Sequence, residues 1–546
     1  MNAALIAVAG LLWFALAYFI YGKYLDKRVI KPDPQRSTPA HTLYDGVDYV
    51  PAHPAVLFGH HFSSIAGAGP IVGPILAYSL FGWGPALLWV LLGTAFIGMV
   101  HDYFSLMTSV RNRGVSIAEI AEMVISKTAK WLFSVFVWFT LVLVVAVFSV
   151  ITAKTLEGKP QIAIPTLGLI GVAILFGIAV YRLKMKVLPA TFISWALIFA
   201  LVWLGYKYPI RAGFNTWFYI FLIYAFVASG LPVWFLLQPR DYLSMTILFA
   251  GLFLGYAGLF ALHPEISGPT FSSFSSPQGP LVPMLFIIIA CGAISGFHSL
   301  VGSGTTAKQL DRETHGRPVG SGAMIFEGIL ALLVLLLMAG ALHWGKGGGG
   351  FYLHTILEKG GGPIVAFGAG FGRAVSSLGV SLSAATAFGI LMLNAFVLTS
   401  LDTSVRLSRF VFQEAIVRGK GPLSNRWVAS LIGILLAWAF AASNSWKVIW
   451  PAFGGANQLV AALSLFTVTA YLAGVKRPTT YSLIPAVFMW LVTESALSYL
   501  LLFKFLPQVG RSTGKTLLAL ITLVLIALGV LVGYEALVAI RKKWKK

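Results

Sequence analysis

Apolar runs of about 20 residues recur along almost the whole chain, and a run of that length crosses the hydrocarbon of a bilayer as one helix. About fifteen such segments fit between Ala3 and Ile540. Of the 546 residues, 58% are hydrophobic and 10% charged, where a soluble domain has about 25% charged. Lipid offers no partner to a free N–H or C=O, so spanning segments must be helices or a closed barrel, and runs of this length are helical. The expectation is an all-α polytopic membrane protein forming a single integral domain over 1–546. Within it, 1–21 is a peripheral first helix, retained rather than cleaved, and 480–540 supplies additional C-terminal helices. The net charge of +21 does not mark a nucleic-acid binder. Most of the Lys and Arg fall in alternate loops, as the positive-inside rule requires, which puts the N-terminus outside and the C-terminus in the cytoplasm. The single cysteine, Cys291, excludes an intrachain disulfide.

One apolar segment is unlike a plain span. Phe58 to Pro74 reads FGHHFSSIAGAGPIVGP. Glycine and proline loosen or remove the helical ladder, and broken backbone at membrane depth survives only where protein or a polar cavity covers it. This predicts a broken helix beside a site. The stretch has an echo: FSSIAGAG at 62–69 returns as FHSLVGSG at 297–304. Seven helices separate the two starts, so the copies run in opposite directions. That is the mark of an inverted repeat with its site at the repeat interface, with 54–262 as first half and 281–474 as second. Trp450 to Gln458, WPAFGGANQ, reads as a further interrupted or re-entrant helix, and Pro232 should kink Ala228–Arg240. Pro363 to Leu378 reads as a partial or surface helix, and Ser116 to Ile125 as an interfacial or cytoplasmic one.

Half-helix N-termini attract anions and C-termini attract cations. The candidate substrate-binding set is therefore His61, Ser63, Ser64, Gly67 and Gly69 from the first copy and His298, Ser299, Gly302, Ser303 and Gly304 from the second, with Asn457 from the third stretch. Close helix packing by small residues is the bland alternative. Carboxylates inside spans are costly and functional by default. Asp402 and Glu327 are the candidates for ion or proton coupling, with oxygens from Thr399, Thr403 and Ser404. A fixed pair between Asp402 and Arg406, one helical turn on, is the alternative. Asp102 follows His101 near a cytoplasmic helix end, an interfacial pair being the bland alternative, and Glu494 lies mid-span. No His, Cys or carboxylate spacing typical of a metal site accompanies the histidines, so neither metal, cofactor nor catalytic residue is expected.

The same residues resemble a known family. YDGVDYVPAHPAVLFGHHFSSIAGAGPIVGP (44–74), CGAISGFHSLVGSGTTAKQL (291–310), FVLTSLDTSVRLSRF (396–410) and WPAFGGANQLVAAL (450–463) are similar to motifs of the carbon starvation protein A family. The resemblance implies an inner-membrane secondary transporter of the amino acid–polyamine–organocation superfamily, associated with peptide uptake in carbon starvation and with proton-coupled pyruvate uptake. The expected architecture is a leucine-transporter-like bundle of five-plus-five helices with extra helices, a seven-plus-seven arrangement being the lesser alternative. The expected function is symport of a small carboxylate such as pyruvate with H⁺ or Na⁺. A di- or tripeptide permease is the first alternative and a non-transporting nutrient sensor the second. The partners are then the substrate, the ion and the bilayer, with no nucleic acid.

Overall fold

The computed structural model describes residues 1–546 apart from 47, 232–235, 349, 360, 418–420, 444, 445, 512 and 546. Among the described residues, eleven helices are long and apolar enough to cross a membrane, or up to 12 with one bent pair counted as a span. The remaining expected spans are there in altered form. Two are helices shorter than a full crossing, Phe214–Gly230 and Arg426–Ser443, and the segment 281–304 is divided in two. The end of the expected span 214–236 and the Pro232 kink lie outside the described residues.

In chain order, α1 (Ala3–Ile30) leads to the first broken helix, α2 (Pro54–Ile65) and α3 (Gly69–Phe81), bent by 43° at the break. His53 starts α2: its Nδ1 accepts the Ala55 N–H at 3.3 Å, and Pro54, which has no N–H to satisfy, takes the first position. α4 (Trp83–Arg111), the short α5 (Ile117–Val124) and α6 (Lys127–Gly158) follow. Then come α7 (Pro160–Val180), α8 (Val187–Lys207), α9 (Phe214–Gly230) and α10 (Leu237–Leu262). The second broken helix is α11 (Leu281–Ile288) and α12 (Gly296–Gly304), joined by seven non-helical residues. After it come α13 (Gly316–Ala341), α14 (Pro363–Ser376), α15 (Leu382–Val411), α16 (Arg426–Ser443), α17 (Trp446–Gly474), α18 (Thr480–Tyr499) and α19 (Thr513–Trp544).

The packing has a two-fold logic. α2 lies against α12 and α3 against α11, so the broken helices cross antiparallel, the first half of each beside the second half of the other. α4 packs on α13 and α6 on α15. The short helices α9 and α16 touch each other and both long helices α6 and α15. α10 packs on α2 and α15, and α17 correspondingly on α12 and α6. These ten helices, counting each broken one once, form a five-plus-five inverted-repeat core. The hairpin α7–α8 is an addition to the first half and α14 to the second, with α1, α18 and α19 outside. Burial agrees: 94% of the apolar window of α17 is buried but only 17% of that of α8. The outward residues of α8, such as Phe192, are large and apolar, as a lipid-facing surface requires.

Three local expectations change. Trp450–Gln458 is not interrupted; it lies inside continuous α17. Its glycines serve approach rather than a break, because a Cβ on Gly454 would sit 2.2 Å from the Ile287 carbonyl oxygen and one on Gly455 2.5 Å from Leu497. α14 is not a surface helix: Phe367, Phe371 and Ala374 are buried, and it packs on α15. Arg240, which the charge pattern assigns to a loop, lies fully buried in the first turn of α10.

Candidate site at the crossing of two broken helices

The breaks are held from outside. At the second, Asn457 of α17 does the holding. Its Oδ1 accepts the Phe297 N–H at 3.0 Å, and its Nδ2 donates to the Ala290 carbonyl at 2.9 Å and to Ser295 Oγ at 2.9 Å. One amide thus satisfies backbone on both sides of the interruption. At the first break, Gly69 lies against Cys291 of the other break, where a Cβ would come within 2.4 Å of the cysteine Cβ. The two interruptions therefore meet directly.

Several expected site hydroxyls are engaged by their own helices. Ser63 Oγ donates to the His60 carbonyl, Ser299 Oγ to the Gly296 carbonyl, Ser303 Oγ to the Ser299 carbonyl, Thr399 Oγ1 to the Ala395 carbonyl and Ser404 Oγ to the Ser400 carbonyl. Ser299 Oγ also meets Ser464 Oγ at 2.8 Å. Others are buried with no hydrogen-bond partner among the described residues: Ser64 Oγ and His61 Nε2 on α2, Ser400 Oγ and Thr403 Oγ1 on α15. These two helices pack together, and Gly67 beyond the end of α2 is close enough that a Cβ would lie 2.7 Å from Ser400 Oγ. His61 Nδ1 is tied to Thr306 Oγ1 at 2.9 Å, which fixes the ring. On the α2–α15 side of the crossing, Ser64, His61, Ser400 and Thr403 thus leave polar atoms free to receive a ligand. Gly302 faces His61, with 3.9 Å of clearance for a Cβ, and Gly304 lies against Leu407.

Each broken helix carries one histidine into a buried charge cluster. On α2, His60 Nδ1 lies 3.1 Å from Asp241 Oδ2. Asp241 Oδ1 accepts from Arg240 Nη2 at 2.9 Å. The same guanidinium grips both oxygens of Asp402, Nη2 reaching Oδ1 at 2.9 Å, and Tyr224 OH donates to Asp402 Oδ2 at 2.9 Å. Asp402 is therefore paired with Arg240 and not with Arg406, whose guanidinium donates to the Ala228 and Leu231 carbonyls instead. On α12, His298 Nδ1 lies 2.8 Å from Asp102 Oδ2, and His101 Nδ1 2.7 Å from Asp102 Oδ1. On its other side, His298 Nε2 faces Glu327 Oε2 at 3.2 Å. His101–Asp102 is thus not interfacial but part of the interior, both residues being buried. Glu494 stands apart from the crossing, against Gly529 of α19.

Arg240, Asp241, Tyr224 and Cys291 are absent from the sequence-based site. The signal available for the first pair is a charged dipeptide directly after Pro239 at the head of an otherwise apolar helix.

A polytopic bundle built as an inverted repeat of five helices, with two broken helices crossing at its centre, has the leucine-transporter-like fold. The fold has a solved counterpart in the manganese transporter of Eremococcus coleocola, with a TM-score of 0.51 at 12% identity, covering 92% of this chain and 99% of that one. The chain belongs to the carbon starvation protein CstA family, whose model it matches over residues 2–346 and 351–496. It is 32% identical to the peptide transporter CstA of Bacillus subtilis, over 100% of this chain and 97% of that protein. It is also 32% identical to the pyruvate/proton symporter BtsT of Escherichia coli, over 93% of this chain and 83% of that protein. The chain is a multi-pass membrane protein of a transporter family, and peptide transport and pyruvate symport are both among its relatives' activities.

Proposed function

We propose that the protein imports a small carboxylate, pyruvate being the type substrate, by proton-coupled symport, and that it is not an enzyme. The N-terminus then lies outside and the C-terminus in the cytoplasm, with 54–262 and 281–474 as the two rocking halves. The observation that carries this reading is the antiparallel crossing of α2–α3 and α11–α12, with the unpartnered Ser64, Ser400, Thr403 and His61 groups beside it. The positive end of a half-helix favours an anion, and the free hydroxyls and imidazole nitrogen beside the crossing offer it hydrogen-bond partners.

Coupling is assigned to the cluster formed by α2, α10 and α15. One guanidinium, Arg240, serves two carboxylates, Asp241 and Asp402. With His60 neutral the cluster keeps one uncompensated negative charge in a buried setting, and a proton taken up there neutralises it. His60 lies on the same half-helix as His61 and Ser64, so charge at the cluster and substrate at the break act on one mobile element.

Uptake by reconstituted proteoliposomes tests the reading. An inward proton gradient should drive accumulation of labelled pyruvate. Asp402→Asn should lose the response to the gradient while still exchanging substrate across the membrane. Gradient-driven uptake undiminished in Asp402→Asn would remove the coupling assignment. The naming of the Bacillus subtilis relative favours a second reading, di- or tripeptide import, and dipeptides competing with or replacing pyruvate would select it. No uptake of either class would leave the sensor reading.

A further inference from the structure

Cys291, His298 and Glu327 come together from three places: the linker that breaks the second helix, the start of α12, and the middle of α13. One ligand atom from each lies within 4.8 Å of the others, and all three residues are buried. We propose that they form a binding site for a divalent transition metal of the zinc class, with Asp102 as its positioning residue.

Three observations support this beyond proximity. First, the oxygen and nitrogen donors are little used. Both Glu327 oxygens and His298 Nε2 are buried without a well-formed hydrogen bond, Nε2 standing 3.2 Å from Oε2, and Cys291 Sγ receives only the long 3.9 Å contact of Asn457 Nδ2. Buried polar atoms in native proteins are nearly always satisfied, so this concentration asks for a ligand. Second, the outer contacts are those of a metal-binding histidine. Asp102 takes the Nδ1 side of His298 at 2.8 Å, which leaves Nε2 as a lone-pair donor aimed toward Glu327. A carboxylate behind a histidine is the usual support of a bound metal. Asp102 is itself steadied by His101. Third, the chemistry of the set is selective. A thiolate, an imidazole and a carboxylate suit zinc or cobalt and not magnesium or sodium. Binding releases the Cys291 proton, since the thiolate is the ligand, and a dication then balances one thiolate and one carboxylate. Three protein ligands leave a fourth position for water.

Cys291 lies in the interruption, His298 beyond it and Glu327 on a neighbouring helix. A metal held by all three would pin the second break to α13 and oppose its movement. Metal binding is therefore expected to hold the transporter in one conformation and slow turnover, but the proposal is judged on binding alone and does not depend on which substrate is carried.

The test is Co²⁺ added to purified, monodisperse protein in detergent. Cys291 is the one cysteine in the chain, so a thiolate-to-cobalt charge-transfer band in the wild type can come from nowhere else. One equivalent of Co²⁺ should develop the band and Zn²⁺ should abolish it by displacement. Cys291→Ser should never show it. Glu327→Gln should weaken binding, and Asp102→Asn should weaken it by roughly 10- to 100-fold. Absence of the band from the wild type under excess Co²⁺ overturns the proposal whatever the variants do. A band whose affinity is unchanged in folded Glu327→Gln and His298→Ala protein overturns it as well.

Discussion

Arg240 compensates Asp402 and Asp241 at once while wholly buried, so its removal and the removal of one partner should differ in kind. Removing one member of a buried ion pair typically costs 3–5 kcal/mol, about what stranding a single charge does. Arg240→Met strands two carboxylates and should lower the thermal midpoint in detergent more than Asp402→Asn, which leaves Arg240 with Asp241 at 2.9 Å. The reverse order would mean that Asp402, not the arginine, anchors the cluster. The free hydroxyls should behave oppositely. Ser64 and Thr403 have no hydrogen-bond partner to lose among the described residues, so Ser64→Ala and Thr403→Val should leave the thermal midpoint almost unchanged. If each hydroxyl binds substrate, KM should rise roughly 3- to 10-fold per substitution. Unchanged KM with lowered stability would assign them to packing.

At the scale of the element, the broken helices show how far sequence reasoning reaches. The mixture of glycine, proline, serine and histidine at 58–74 marks a true interruption, because nothing in a lipid-facing helix needs that mixture. The similar richness of Trp450–Gln458 marks none. There the glycines make room for Ile287 and Leu497, and Asn457 serves the other helix's break from a continuous one. Composition signals close backbone approach in both cases, and only packing distinguishes a break from a groove. The charge clusters are half legible: Asp402 and Glu327 stand out as carboxylates in spans, but their partners do not. Arg240 reads as a loop residue under the positive-inside rule, and a lone Cys291 in an apolar run signals only that no intrachain disulfide forms. Arg240 meets Asp402 across 162 residues of chain, and Cys291 meets Glu327 across more than 30. Glycine substitutions separate the roles further. On Gly73 a Cβ would stand 2.9 Å from the Ile288 carbonyl oxygen and 3.0 Å from Ile289 Cα, both backbone atoms that cannot yield cheaply. On Gly302 the nearest atom is 3.9 Å away. Gly73→Ala should therefore force the crossing helices apart and abolish uptake with reduced expression, while Gly302→Ala should fold normally. Equal tolerance of both, read by membrane expression and uptake, would mean that the crossing is looser than these contacts imply.

For the whole molecule, alternating access requires the crossing to open to one side at a time. A cavity of about 170 Å³ reaches the end of α12 between α6 and α15, lined among others by Gly304, Lys130, Lys308 and Leu407. Lys308 stands at its mouth, while Lys130 there is paired with Glu119 and Glu122, and by the positive-inside pattern this end lies on the cytoplasmic side. The structure would then be open inward. Gly304 is part-exposed in this cavity. A Cβ there would meet only a Leu407 methyl, at 3.1 Å, and that side chain can shift, so Gly304→Cys should be accommodated. The native Cys291 is buried and gives little background. A membrane-impermeant maleimide should label Gly304→Cys in inside-out vesicles and spare it in right-side-out ones. If the cavity is the route from the crossing to the interior, saturating substrate should slow the labelling. Labelling from the outer face alone would reverse the orientation. Labelling from the inner face that substrate never slows would keep the orientation and remove this cavity from the transport path.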